Sequence, residues 1–138
     1  MSVSDRSGGT ALVVGPLTRT DLVRYQGASG DFQPIHHDEG FAREAGLPAP
    51  LSLGMLQAGF LATWATDRFG AENIRAFRVR FAARVFPGDT LTCDGTITGA
   101  RTNEHGEHVQ DVEMTCTKQD GTVAVHGWAT FTTSDEAA

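Results

Sequence analysis

The strongest hydropathy signal lies between residues 53 and 69. Leu53, Met55, Leu56, Phe60, Leu61, Trp64 and Phe69 alternate with Gly54, Ala58, Gly59, Ala62 and Ala65, and polar side chains enter in number only at Asp67 and Arg68. A helix of this composition is apolar around most of its circumference, which predicts burial. Ser52 stands where an N-cap belongs, and Gly70 is placed to end the helix. Beyond Gly70 the period changes. Phe77, Val79 and Phe81 alternate with Arg78 and Arg80 within a run from Ile74 to Phe86, the pattern of a half-buried strand. Pro87-Gly88-Asp89 turns the chain. Three more strand-like runs follow, over 90–98, 109–118 and 123–132. Residues 103–106 and 119–121 read as hairpin loops between them.

The N-terminal half is built of shorter pieces. Residues 11–15 suit a short strand or an extended lead-in, closed by Pro16. Thr18 and Asp21 have the spacing of a capping box, which predicts a helix over 18–27 with Leu22, Val23 and Tyr25 on its apolar side. Asp38 is placed to cap a second, short helix over 39–45, stopped by Gly46. A sheet with one apolar face must cover that face, and the long helix is the available cover. The expected fold is therefore α+β, with an antiparallel sheet wrapped around one central helix. The expected limits are a tail over 1–10, the domain over 11–133 and a tail over 134–138.

Composition narrows the class. The chain has 138 residues, enough for one domain with a real core. A net charge of −6 argues against bulk binding of nucleic acid. No apolar run approaches the roughly 20 residues that span a bilayer. Met1 to Gly9 lack the apolar stretch of a signal peptide, so the expectation is a cytoplasmic protein that does not act at a membrane. Cys93 and Cys116 fall in strand-like runs and read as buried thiols rather than a disulfide framework. His105, His108 and His126 read as surface residues.

The chemistry concentrates in Gly30-Asp31-Phe32-Gln33-Pro34-Ile35-His36-His37-Asp38. Pro34 fixes its own φ and biases Gln33 towards extended backbone. The stretch reads as a stiff bend able to aim Asp31 and His36 at one point. An acid and a base so held suit proton transfer. Taken alone, the spacing also fits a turn-capping aspartate beside a surface histidine. Four oxygen or nitrogen ligands for a metal could be counted here, but His36 and His37 are adjacent on a tight bend and would point apart, so no metal site is expected.

The run Tyr25 to His36, with Ser29-Gly30-Asp31 before Pro34-Ile35-His36, resembles the signature of the MaoC-like, or (R)-specific enoyl-CoA hydratase, family of the hotdog fold. Leu53-Gly54-Met55-Leu56 resembles its second motif. Two positions depart from the pattern: Gln33 stands for the usual Asn and Leu53 for the usual His. The resemblance spans residues 18–132 and is close to actinobacterial dehydratase subunits and to the small MaoC subunits of steroid side-chain hydratases.

It implies a hotdog domain that adds water to trans-2-enoyl thioesters, or dehydrates (3R)-hydroxyacyl thioesters, carried on coenzyme A or acyl carrier protein. It implies that Asp31 accepts a proton from water attacking C3, that His36 holds this water and donates to C2 or relays a proton towards it, and that the Gly54 amide binds the thioester oxygen. Ser29, Gln33 and Met55 are implied as substrate-binding neighbours, with no cofactor. It also implies a homodimer, or a heteromer with another MaoC-like chain. One or two of Arg75, Arg78, Arg80 and Arg84 could meet carrier phosphates, the rest forming a solvated face. Two rivals remain. One is a subunit that shapes a partner's pocket without chemistry. The other is a thioesterase, for which the helix offers only Asp67 as a carboxylate.

Overall fold

The computed structural model describes residues 11–133 and the backbone of Val3–Ser4. The remaining parts of the expected tails, 1–2, 5–10 and 134–138, lie outside the described residues. Val3–Ser4 form a two-residue strand, β1, paired with β2 (Leu12–Val14) in the register Val3↔Val14. Helix α1 (Arg19–Ser29) and helix α2 (Glu39–Glu44) follow, joined by a bend that contains one 3-10 turn, Pro34–His36. The long helix α3 spans Gly54–Phe69. Strands β3 (Ile74–Phe81), β4 (Leu91–Thr102), β5 (His108–Lys118) and β6 (Val123–Thr132) complete an antiparallel sheet in the order β1-β2-β4-β5-β6-β3.

Helix α3 packs against β2, β3, β4, β5 and β6. One helix can meet strands near both edges only if the sheet curls around it. Leu56, Phe60, Leu61, Trp64 and Ala65 from the helix join Leu91, Cys93, Val112, Met114, Val125 and Phe131 from the sheet in one core. Two glycines set the closeness of approach. A Cβ at Gly95 would lie 2.9 Å from the Trp64 ring, and one at Gly127 would lie 3.4 Å from Leu61 Cδ1. Cys93 and Cys116 face each other across the β4–β5 ladder as buried free thiols. The hydrogen bond between them, together with burial, pushes the Cys93 thiol well above its ordinary pKa.

Five local expectations change. Ser52 does not cap α3. The N-cap is Leu53, with no side-chain cap, and Ser52 is buried. The alternating strand ends at Phe81 rather than Phe86, because the Ala82 and Ala83 amides both turn to the Ala124 carbonyl. Phe81, expected on the covered side, is 53% exposed. On α1, Leu22 is buried and Tyr25 packs against the core, but Val23 faces solvent. The α1 helix also runs two residues past Gly27 and stops at Gly30, whose φ of 77° suits a residue without Cβ.

Candidate active site

The bend is framed by its two helices. Thr18 and Asp21 form the reciprocal capping box that starts α1, and the Asp38 side chain accepts from the Phe41 amide to start α2. Arg19 of α1 and Arg43 of α2 both bond Glu39 at 3.1 Å. The hydrogen bond from Arg19, then that from Arg43, lowers the Glu39 carboxyl to about 2. These charges are solvent-screened and contribute little to stability, but they join the start of α1 to the start of α2.

Within the bend, one side chain does most of the fixing. Gln26, on α1, is 2% exposed. Its Nε2 donates to the Asp31 carbonyl at 3.0 Å and to the Gln33 carbonyl at 3.1 Å, and its Oε1 faces His37 Nδ1 at 3.0 Å. Because Oε1 can only accept, His37 carries its hydrogen on Nδ1. The Asp31 amide donates to Ser29 Oγ, and the Gln33 amide donates to Asp31 Oδ1. This occupies one carboxylate oxygen with the loop and leaves Oδ2 towards His36.

His36 is anchored from its other side. Its Nδ1 lies 2.6 Å from the Leu51 carbonyl. A carbonyl cannot donate, so Nδ1 carries the hydrogen, and the neutral ring presents Nε2 as an acceptor. Nε2 stands 3.8 Å from Asp31 Oδ2. The His36 side chain is 11% exposed and that of Asp31 47%. Two acceptors at this separation do not bond each other. They can share the two protons of one water molecule, and a water so held has its oxygen lone pairs turned away from both.

The segment that anchors His36 leads directly to the tip of α3. The Leu51 amide donates to the Ile35 carbonyl and the Ser52 amide to the Val85 carbonyl. Between this segment, the first turn of α3 and the chain after β3 lies a cavity of about 280 Å³, lined by Leu51, Ser52, Gly54, Gln57, Phe81 and Arg84 among others. Gly54 is the first helical residue, and its amide has no acceptor among the described residues. Such an amide, at the positive end of a helix dipole, suits developing negative charge. A Cβ at Gly54 would lie 3.0–3.3 Å from the Phe81 ring, so the missing side chain lets that ring close over the helix tip. The wall around residue 85 is held by Asp89, which accepts from the Phe86 amide at 2.9 Å and Gln119 at 2.8 Å and pairs with Lys118 at 3.1 Å. Burial alone would raise the Asp89 carboxyl, but these bonds outweigh it and hold it below its ordinary value.

The site residues expected from sequence thus fall into two groups. Asp31 and His36 meet across the bend. Gly54 lines the cavity, to which His36 is tied through Leu51. Ser29 and Gln33 hold the bend, Ser29 through its hydroxyl and Gln33 through its backbone, and the Gln33 residue is exposed. Met55 is 60% exposed and does not line this cavity. Of the four arginines, Arg75 is bound to Glu107 at 2.7 Å and Arg78 lies over the Trp128 ring at 4.6 Å, while Arg84 lines the cavity. Asp67 is exposed and about 20 Å along the helix axis from Gly54, at about 1.5 Å per residue. No motif in the sequence assigns a role to Gln26 or Gln57. The available signal was a glutamine inside each otherwise apolar helical face.

Residues 12–120 match the family model described as "MaoC like domain". The chain is 30% identical over 97 residues to the (R)-specific enoyl-CoA hydratase of Rhodospirillum rubrum, covering 68% of this chain and 67% of that protein. It is 39% identical over 66 residues to the peroxisomal multifunctional enzyme type 2 of Mus musculus, covering 46% of this chain and 9% of that much longer protein. The match therefore spans under a tenth of the latter's length. Among solved structures, a chain of the ChsH1–ChsH2 complex from Mycobacterium tuberculosis superposes with a TM-score of 0.77 at 21% identity, covering 90% of this chain and 93% of that one. At that identity the likeness concerns the fold, which is the hotdog arrangement.

Proposed function

This chain belongs to the family of MaoC-like domains, and from that premise we propose that it is an (R)-specific enoyl-thioester hydratase, acting reversibly as a 3-hydroxyacyl-thioester dehydratase. The observation that carries the reading is the commitment of His36 Nδ1–H to the Leu51 carbonyl, which turns Nε2 towards Asp31 Oδ2 at 3.8 Å. That arrangement receives a water molecule and orients it for attack.

The water oxygen bonds C3 of the trans-2-enoyl thioester as Asp31 takes one of its protons. The π electrons of C2=C3 move into an enolate whose oxygen is met by the Gly54 amide. His36 Nε2 holds the hydrogen that remains on the new hydroxyl. The proton on Asp31 returns to C2, and the carboxylate is regenerated. Dehydration runs the same steps backwards. The substrate is an acyl thioester of coenzyme A or acyl carrier protein, and Arg84 is the cation placed nearest for a carrier phosphate. Neither the acid–base pair nor the helix tip calls for a cofactor or metal.

Strand β3 has β6 as its one sheet neighbour among the described residues, and Phe81 at its end is exposed. An unpaired strand edge is a template for pairing with another chain. This supports a dimer, either of two copies or with a second MaoC-like chain. A thioesterase role is disfavoured because the one carboxylate of α3, Asp67, is at the far end from the cavity.

The test is the purified chain with crotonyl-CoA and with longer enoyl-CoA substrates. Hydration removes the conjugated absorbance without releasing thiol, whereas hydrolysis releases it. Thiol release would replace this reading with the thioesterase. No turnover alone, with turnover on adding a second MaoC-like chain, would assign the heteromer.

A further inference from the structure

Gln57 is polar, 3% exposed, and sits on the helix that supplies most of the core. Burying an amide without partners is costly, so both its ends need an account. Oε1 accepts from Ser52 Oγ at 2.7 Å. This bond orients the amide. Nε2 has no acceptor among the described residues. Yet no buried side-chain nitrogen or oxygen is left unpartnered among those residues, so Nε2 reaches accessible space. The space that Gln57 lines is the cavity at the tip of α3.

Position in the helix gives the same direction. Residues three apart lie on one helix face, which places Gln57 one turn beyond Gly54. Helical side chains lean back over the preceding turn, and the bond to Ser52, on the N-terminal side of Gly54, shows that Gln57 does so. The cavity is thus addressed by the free Gly54 amide and by a side-chain amide whose acceptor end is occupied and whose donor end is open.

We propose that Gln57 is a substrate-contacting donor in the proposed hydratase: its Nε2–H binds the thioester carbonyl oxygen beside the Gly54 amide and strengthens as that oxygen becomes an enolate. Ser52 is the positioning residue that sets the amide's orientation. The inference rests on the hydratase reading for its ligand. A ligand with one carbonyl acceptor suits a pair of convergent donors.

The test uses Gln57→Met, which keeps length without a donor, and Gln57→Glu, which keeps an oxygen for Ser52 but replaces the donor by a carboxylate. Two readouts apply. The first is kcat on crotonyl-CoA, with thermal midpoints to verify folding. The second is the infrared carbonyl stretch of 1-¹³C-crotonyl-CoA bound to Asp31→Asn and to Asp31→Asn carrying each Gln57 change. Removing one oxyanion donor lowers kcat by roughly 10²–10³-fold. That loss is expected for Gln57→Met, with a larger one for Gln57→Glu. The bound carbonyl stretch should move back towards its frequency in solution. Ser52→Ala should give a smaller loss of the same kind.

Wild-type kcat and an unshifted stretch in folded Gln57→Met would overturn this inference and leave the hydratase reading standing. A chain that binds the thioester without hydrating it, but loses the carbonyl shift in Gln57→Met, would overturn the hydratase reading and leave Gln57 as the carbonyl donor. A variant that fails to fold is replaced by Ser52→Ala, for which an unchanged stretch would overturn the inference. Failure of the wild-type chain to bind the thioester would overturn both.

Discussion

The bend that carries Asp31 and His36 and the tip of α3 that carries Gly54 are held in opposite ways. The bend is largely solvent-exposed, and its shape depends on directed hydrogen bonds, above all the three made by Gln26. The helix tip has no side-chain cap and is set by packing, with Leu53 and Leu56 buried in the core and the Phe81 ring against Gly54. The difference follows from the two tasks. A bend that places a carboxylate and an imidazole must fix orientation, which hydrogen bonds do. A tip that offers unpaired amides must keep them unpaired, which a capping side chain would prevent. The two regions meet at Leu51, which binds His36 and lines the cavity.

The comparison predicts different failures on each side. The largest effect belongs to the acid–base pair. Asp31→Asn and His36→Ala should each lower kcat by ~10²–10⁴-fold while shifting the thermal midpoint little, as measured by steady-state hydration and calorimetry. Next comes Gln26→Leu, which removes the bend's hydrogen bonds without emptying its site. It should lower kcat by about tenfold or more, because reacting groups tolerate little misplacement. It should also lower stability by about 1–3 kcal/mol, since the carbonyls of Asp31 and Gln33 lose their donor. A normal kcat with reduced stability would show that Gln26 serves the fold and not the site.

At the helix tip, Gly54→Ala would press against the Phe81 ring and should raise KM several-fold as that ring moves. Phe81→Ala in the same chain should relieve it, and a double-mutant cycle measures the coupling. Asp89→Asn tests the cavity wall through pH. The folded carboxyl lies below its unfolded value, so its contribution is present above the unfolded pKa and lost as pH falls through the folded one. The variant should therefore be less stable than the parent by about 2 kcal/mol at pH 7, with the gap closing below about pH 4 in denaturant titrations. The smallest effect is Arg84→Ala, which should raise KM for a coenzyme A thioester by a few-fold. It should leave the KM of an uncharged N-acetylcysteamine thioester unchanged.

Legibility in the sequence followed the range of the interactions. The capping box at Thr18, the Asp38 cap and the hairpins depend on neighbours a few residues away, and each is read from local residue types. The buried helix and the period-2 strands are read because their periodicity repeats. Gln26 was not legible as the clamp of the bend, because its partners are chosen by how α1 returns on that bend. Ser52 looked like an N-cap because its position is right. In the structure its hydroxyl is drawn to Gln57 instead, a competition that residue types alone do not decide.

The sequence by itself determined the α+β class, the one long enclosed helix, the strand sequence around it and the bend with a carboxylate five residues before an imidazole. Those rest on patterning and on proline and glycine chemistry, which act within a turn or two of the chain. Only the tertiary structure decided that His36 is held through Nδ1 by Leu51, that Phe81 leaves the core to lie over Gly54, and that Gln57 opens its amide to the cavity. Each of these is a contact between segments that the curl of the sheet brings together, and the curl depends on how closely α3 can seat at Gly95 and Gly127.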